Sequence, residues 1–486
     1  MTWSDVTLIA PLVAALLVAF AIIVVDAIAP HRDRIAVAVG LAGLAIVAVL
    51  TVWTDQAPGL AFGGAYTVDT LTTYLDLIFI AIVALTVLVG PDYLGPRDLP
   101  VAEFAATLVF AMTGAMLIAG SADLLVLFVG LELMVLPGYL LAGYAKRDAL
   151  STEGAIKYFL LGSFSSAIFL FGLAYVWGLT GTTRIAGVAD AIAAAQGLSP
   201  ALAMGVAFVT TGVAFKIAAV PFHYWTPDAY QGSPTPVTGY LSVGPKVGAF
   251  ALIIRVFVEA LGPINADWLP VMGVLAVLTM TLGNLVAVTQ TNVKRMLAYS
   301  SIAHTGYILV GLTAYAADPN SGGLEAVLFY LAAYSFMNLG AFAVVSALQK
   351  RPGVTSQLDT FAGLGRREPY LGILMTLFLL SLTGIPPTAG FFAKALIILS
   401  AVQAGGWVPI LAVITVLNAV AAAFYYLRVV VYMYMRDPQI EPAEVDHGPL
   451  LRLGVAVAAV ATVILGVLPG PLIDAATKAA SSLFRG

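Results

Sequence analysis

Apolar runs of about twenty residues alternate with short polar breaks along almost the whole chain. About 20 such residues carry a helix across the hydrocarbon core of a bilayer. Windows of that length predict fourteen segments, near 6–28, 35–54, 69–90, 103–120, 123–144, 153–179, 203–232, 237–260, 268–290, 296–317, 324–348, 370–404, 408–435 and 452–475. Prolines interrupt the seventh and the twelfth. The thinnest boundary is GSAD, Gly120 to Asp123, between the fourth and fifth. The run from about Val6 to Ile28 follows no basic stretch and is long enough to span, so it reads as a membrane helix rather than a cleavable signal.

Composition agrees with an integral membrane protein. Of 486 residues, 61% are hydrophobic and 10% charged, where a soluble domain is about half apolar and a quarter charged. No polar stretch is long enough to fold separately, so one all-α bundle is expected. The chain has no cysteine, which excludes disulfides, thiolate nucleophiles, iron–sulfur ligation and cysteine zinc sites. It has neither a GxGxxG nor a P-loop motif. The net charge of −4 says little about a chain surrounded by lipid.

Loops after odd-numbered segments hold Arg32, Arg34, Arg97, Lys146, Arg147, Lys294, Arg295, Lys350, Arg351, Arg366, Arg367, Arg436 and Arg452. Loops after even-numbered segments hold Arg184. The positive-inside rule therefore makes the odd loops cytoplasmic and puts both termini on the outer side.

Basic residues also fall within the segments: Lys157, Lys216, Lys246, Arg255, Lys394 and Arg428. Arg255 and Arg428 lie near segment ends, where they can snorkel to the interface. Lys157 is about one turn inside. Lys216, Lys246 and Lys394 lie deeper, as does Glu132 in LFVGLELMVLPGY. A charge at mid-helix costs roughly 2.5–3.5 kcal/mol, so four come to about 10–14 kcal/mol. Structural contacts between helices account for one or two paired charges. Three lysines and one glutamate cannot all pair, so some are expected to be hydrated or to titrate. A desolvated lysine loses several units of pKa and regains them beside a carboxylate. Glu132 and Lys216 make such a proton-loading pair if the fifth and seventh helices touch.

The stretch FKIAAVPFHYWTPDAYQGSPTPV, Phe215 to Val237, sets Lys216 beside Pro221, Pro227, Pro234 and Pro236. Backbone groups freed by such breaks survive at membrane depth where they are buried in protein or line a water-filled cavity. LTGIPPTAGFFAK repeats the arrangement with Pro386, Pro387, Gly390 and Lys394. An intact helix bearing Glu132 precedes Lys216 by about 84 residues, and one bearing His304 precedes Lys394 by about 90. Interrupted helices at matching places in two halves point to an inverted-repeat transporter and its ion path. His223 and His304 are the histidines within the segments; they can relay protons, bind a haem as a pair, or serve as satisfied polar residues.

The motifs PFHYWTPDAYQGSPTPV, NVKRMLAYSSIAHTGY and SLTGIPPTAGFFAK resemble the antiporter-like membrane subunits of respiratory complex I, and the subunit N branch most closely. The resemblance runs from about the fourth segment to the thirteenth. It implies fourteen helices with two inverted five-helix repeats, each containing a broken helix. It also implies a proton route through Glu132, Lys216, Lys246 and Lys394, with Lys157 on the sixth helix and His304 on the tenth as family positions. The chain ends shortly after its last segment, unlike the sibling with a lateral helix, and has lysine at 394 where another sibling usually has glutamate. Pro245, just before Lys246, is expected to kink the eighth helix unless the surroundings compensate.

The resemblance implies an N-terminal three-helix region at 1–100, a first repeat at 101–262, a second at 263–436 and a last helix in 437–486. It implies a subunit of a proton-translocating NADH:quinone oxidoreductase in the cell membrane. This chain would bind no cofactor; quinone and NADH, or another donor, would act at other subunits, the partners including the sibling antiporter-like chains. A multisubunit Na+/H+ antiporter subunit and a non-conducting membrane scaffold are the alternatives.

Overall fold

A computed structural model describes residues 2–30, 32–195, 197–438 and 447–483. Met1, 439–446 and 484–486, which fall in the first and last predicted regions, lie outside the described residues. The short α1 (Trp3–Leu8) leads into α2 (Ala10–Ile28) and α3 (Asp33–Thr54). A small antiparallel hairpin, β1 (Gly59–Ala61) and β2 (Tyr66–Val68), follows with Leu60 opposite Thr67. Next come α4 (Thr70–Leu94), α5 (Val101–Ala119), α6 (Leu124–Ala142), α7 (Ala149–Thr180), α8 (Ile185–Ala194), α9 (Pro200–Lys216) and α10 (Trp225–Gly232). The second half holds α11 (Thr235–Ile253), α12 (Asn265–Thr289), α13 (Val293–Ala317), α14 (Gly323–Leu348), α15 (Leu364–Arg367), α16 (Pro369–Thr383) and α17 (Ala389–Gln403). It closes with α18 (Pro409–Met435), α19 (Pro449–Val467) and α20 (Gly470–Ser482).

Among the described residues, 11 helices are long and apolar enough to cross a membrane. With α13 and the broken pairs α9/α10 and α16/α17 they make the fourteen predicted crossings. Helix α13 has the length, at 25 residues, but carries Ser300, Ser301, His304 and Thr305 in its middle. Helices α11 and α14 are 94% buried within the chain against 39% for α7 and α18, so the first two form the centre and the others face outward. Lipid offers apolar helices no hydrophobic gain on packing together, so close approach rests on small residues. Gly283 and Gly306 sit where α12 and α13 meet, each with the other helix's backbone at the place a side chain would fill.

Several elements differ from the sequence reading. The first run is divided between α1 and α2 at Ile9, just before Pro11 in the first turn of α2, and α1 itself opens on a capping box between Thr2 and Asp5. The last segment is also two helices: Pro469 follows Leu468 and starts α20, an amphipathic helix packed on α4 and α14. Helix α8 and the hairpin were too short to register as apolar windows. The hairpin is tied to the α5 end by the Thr67 amide donating to the Gly120 carbonyl at 2.7 Å. The expected effect of Pro245 is compensated. Helix α11 runs through it, and the Leu241 carbonyl four residues back, which the proline cannot serve, accepts from the Tyr230 hydroxyl at 2.9 Å.

Candidate functional site

Both helix breaks are stabilised by neighbouring side chains. Helix α9 ends at Lys216, and Ala218 follows with φ of 58°. The Phe215 carbonyl, which takes the Ala218 amide at 3.0 Å, also accepts from Trp225 Nε1 at 3.1 Å, and the Ile217 carbonyl accepts from Thr305 Oγ1 on α13 at 2.9 Å. The Val220 amide donates to Thr279 Oγ1 on α12 at 3.0 Å. At the second break Gly384 turns the chain at φ of 93°, and Lys394 Nζ donates to the Leu382 and Thr383 carbonyls at 2.8 and 2.7 Å. Gly390 permits this closure, since a Cβ there would lie 1.8 Å from the Ser381 carbonyl oxygen. In each break a lysine stands at the C-terminal, electronegative end of the first half-helix, α9 or α16.

Three deep lysines are buried, and among the described residues none has a carboxylate within ion-pair distance. Lys216 Nζ donates to Ser166 Oγ at 2.8 Å and to the Gly162 carbonyl and Tyr139 hydroxyl at 3.4 Å. Lys246 Nζ donates to the Ser301 carbonyl at 2.5 Å and to Ser301 Oγ at 2.7 Å. Lys394 is held by the two α16 carbonyls and lies over the Tyr307 ring, 5.1 Å from its centre. Their partners are neutral oxygens, so these lysines can change charge without breaking an ion pair.

Helix α13 joins these positions. Its Ser301 holds Lys246, and the Ser301 carbonyl also accepts from Thr305, whose hydroxyl meets the break beside Lys216. One turn along, fully buried His304 meets the Tyr330 hydroxyl through Nδ1 at 2.7 Å and the Tyr426 hydroxyl through Nε2 at 3.2 Å. Tyr426 in turn bonds Ser300. Tyr307, another turn on, carries Lys394 on its face and accepts from Asn284 Nδ2 at 2.8 Å. Lys246, His304 and Lys394 thus lie along one helix, Lys246 on Ser301 and Lys394 over the Tyr307 ring on either side of His304.

The other sequence-derived residues occupy different surroundings. Glu132 on α6 is partly exposed and its Oε1 has no partner among the described residues. No ion pair joins it to Lys216. Helix α6 reaches that lysine instead through Tyr139, two turns beyond Glu132. Lys157 lies at the α7 surface, bridged to Glu153 at 2.6 Å and Asp228 at 2.7 Å, and Arg295 meets the same Asp228 at 2.8 Å. His223 is buried in the first break, stacked on Tyr224, with Nδ1 unpartnered among the described residues. The crevice beside Lys216 is too tight to admit a water and is lined by apolar residues, Leu131, Phe169 and Val213 among them.

Some polar residues lay outside the sequence reading. Tyr139, Ser166 and Ser301 contact the lysines but are too common in helices to stand out singly. The run SSIAHTGY was the available signal, a polar patch in the middle of a crossing. Lys294, counted with a loop, is buried and donates to the Ser233 carbonyl at 2.5 Å, capping α10. Arg255, read as a possible interface anchor, is buried in ion pairs with Asp69 and Glu259 at 2.8 and 2.5 Å. Arg428 donates to the Val288 and Gln290 carbonyls at the end of α12.

Residues 121–418 match the family described as NADH:quinone oxidoreductase/Mrp antiporter, TM. The chain is 40% identical to NADH-quinone oxidoreductase subunit N 1 of Solibacter usitatus, over 92% of this chain and 90% of that one. It is 42% identical to the subunit N of Moorella thermoacetica over 94% of each. Among solved structures it superimposes on a chain of respiratory complex I from Thermus thermophilus with a TM-score of 0.78, 32% identity and coverage of 96% and 98%. A chain of the Mrp complex from Dietzia shares the fold at TM-score 0.85 with 23% identity, covering 100% and 98%.

Proposed function

The chain belongs to the NADH:quinone oxidoreductase/Mrp antiporter membrane family, in its subunit N branch, and from that premise we propose that its buried lysines form a proton route. It is an antiporter-like, multi-pass membrane subunit of NADH-quinone oxidoreductase, a proton-translocating complex, and other membrane subunits are its partners. The Mrp alternative shares the fold at lower identity. Electron transfer from NADH, or another donor, to quinone belongs in this reading to other subunits, since the chain has no cysteine for an iron–sulfur cluster and no dinucleotide motif.

The route runs from Glu132 to Lys216, Lys246 and Lys394, with His304 as the relay between the last two. The observation that carries it is the polar line of α13 from Ser301 to Tyr307, which touches Lys246 at one end and Lys394 at the other. A charge change in a neighbouring subunit acts first on Glu132, whose unpartnered oxygen and partial exposure leave it responsive. Glu132 is close enough to Lys216 for their charges to interact, with Tyr139 between the two helices. Lys216 then gives up its proton along the Thr305–Ser301 side of α13. His223 and Lys157 are relay positions at the first break and the α7 surface. The repeats take the bounds 101–262 and 263–436, flanked by 1–100 and 437–486, and both termini lie on the outer side, as the Lys and Arg distribution requires.

The test is proton pumping by inverted vesicles carrying the assembled Lys216→Ala complex, measured with the quinone reductase rate. The proposal expects both to collapse. Wild-type pumping per electron in an assembled variant would sink it.

A further inference from the structure

The ion pairs of Arg255 belong to a larger group at the hairpin end of the bundle, which the proposed orientation puts outside. Arg255 follows α11 in a π-helical stretch, Ile254–Ala260, and is 2% exposed. Its guanidinium donates to both Asp69 oxygens at 3.0 and 2.8 Å, to Glu259 Oε1 at 2.5 Å, to Thr72 Oγ1 at 3.0 Å and to the Ala119 carbonyl at 2.9 Å. One cation is thus already shared by two carboxylates. A third, Asp76, stands two turns along α4 from Asp69. It is 2% exposed, and its Oδ1 has no hydrogen-bond partner among the described residues.

Asp76 is near enough to Asp69, Arg255 and the buried Tyr66 of β2 for their charges to act on one another. Glu259 stands beyond Arg255 as the partly exposed carboxylate of the group. On α14, Glu325 approaches the same end, and Tyr315 lies within reach of both Glu325 and Glu259. An ionised carboxylate buried with an unpaired oxygen, beside another anion and with the Arg255 cation already shared, carries a large desolvation penalty. A protonated carboxyl avoids it.

Register adds a direction. Helices α4 and α11 pack side by side, and Arg255 meets α4 at Asp69 and Thr72. The helices run antiparallel, so seven residues inward on α4, about 10 Å of rise, match seven back along α11. Asp76 therefore lies roughly level with Gly248, two residues from Lys246. It stands at lysine depth on a helix whose outer end carries partly exposed carboxylates.

We propose that Asp76 holds a proton and, with Asp69 and Glu259, forms an outward proton-release branch from the first half of the chain. In each transfer the Asp76 O–H bond breaks, the proton passes outward to the partly exposed Glu259 carboxylate and then to outer water, and Asp76 is reprotonated from the Lys246 side, while Asp69 stays ionised and holds Arg255 in place. No electron moves. The proposal rests on the lysine-route reading and adds an exit that bypasses Lys394.

The test compares the assembled wild-type, Asp76→Asn and Glu259→Gln complexes in two measurements. Infrared difference spectroscopy in H2O and D2O reads the protonated-carboxyl C=O stretch. Reconstituted vesicles read the proton-to-electron ratio. The expected result is a deuterium-sensitive carboxyl band at neutral pH that Asp76→Asn abolishes, and a lowered ratio in both variants. A band unchanged in Asp76→Asn, or a wild-type ratio in both variants, overturns the proposal. Should Asp76→Asn not assemble, Glu259→Gln alone decides through its ratio. Lys216→Ala distinguishes the two readings: if it pumps normally while Asp76→Asn loses the band, the lysine route fails and the proton-holding site stands.

Discussion

Replacing Lys394 by methionine removes the charge at the second break while nearly keeping side-chain volume. The ammonium's bonds to the Leu382 and Thr383 carbonyls are lost, each worth about 1.5–3 kcal/mol for a charged donor. The cation–π contact with Tyr307 goes too, roughly 0.5–2 kcal/mol. Against this, the variant no longer buries a cation, whose placement at mid-membrane costs about 2.5–3.5 kcal/mol on insertion scales and more where it is dry. The losses, about 3.5–8 kcal/mol, are offset in part by this relief, so net stability should fall by no more than about 5 kcal/mol. The complex should assemble, visible as a native-gel band of wild-type size. Pumping through the Lys394 exit should be lost, lowering the proton-to-electron ratio, because methionine neither carries nor releases a proton. The assay is the proton-to-electron ratio of the assembled Lys394→Met complex in inverted vesicles. A wild-type ratio would refute the reasoning, and failure to assemble would show that the lysine's main task is capping α16.

Three further outcomes follow from named contacts. His304→Phe leaves the buried Tyr330 hydroxyl without its 2.7 Å partner, costing about 1–3 kcal/mol, and should stop transfer along α13; His304→Gln, which hydrogen-bonds but does not titrate, should pump as poorly, and its rescue of pumping would make the histidine a scaffold. Gly390→Ala drives a methyl into the Ser381 carbonyl and should lose about 3 kcal/mol or more, read as lost assembly on native gels; normal assembly would contradict the close approach at that break. His447, next to Glu368 at 3.1 Å and Asp92 at 3.7 Å, is raised to about 9 by these carboxylates. A raised folded value stabilises fully below the unfolded value near 6.5, by at most about 3 kcal/mol, and the contribution fades as pH rises through 9. The thermal dissociation temperature of the purified complex should therefore fall between pH 6.5 and 9.5, and His447→Gln should flatten that fall.

Much of this was legible because the membrane imposes a simple rule. Apolar runs must be helices, so fourteen crossings could be counted, and a proline cluster beside a deep lysine had to be a break. What escaped depended on partners distant in sequence. Nothing near Arg255 announces Asp69, which lies 186 residues away. Lys294 looks like a loop residue until α10 ends above it. Glu132 and Lys216 both stood out as charges, yet the contact between their helices is made by Tyr139, an ordinary aromatic residue. Whether Pro245 would be compensated was hidden for a related reason, since the Tyr230 hydroxyl that serves the Leu241 carbonyl comes from the broken helix before. Helix α20 was merged with α19 because Pro469 lies between two apolar stretches that one window covers.

The central claim, that Lys246 and Lys394 lie on one route joined by α13, is tested most directly by a double-variant cycle. Proton-to-electron ratios would be measured for assembled Lys246→Met, Lys394→Met and the double variant. Residues acting in series as a unit are strongly non-additive. The account predicts that the double variant loses no more pumping than the weaker single variant. Losses that add, each lysine removing its own share of the flux, would contradict it and assign the two lysines to separate paths.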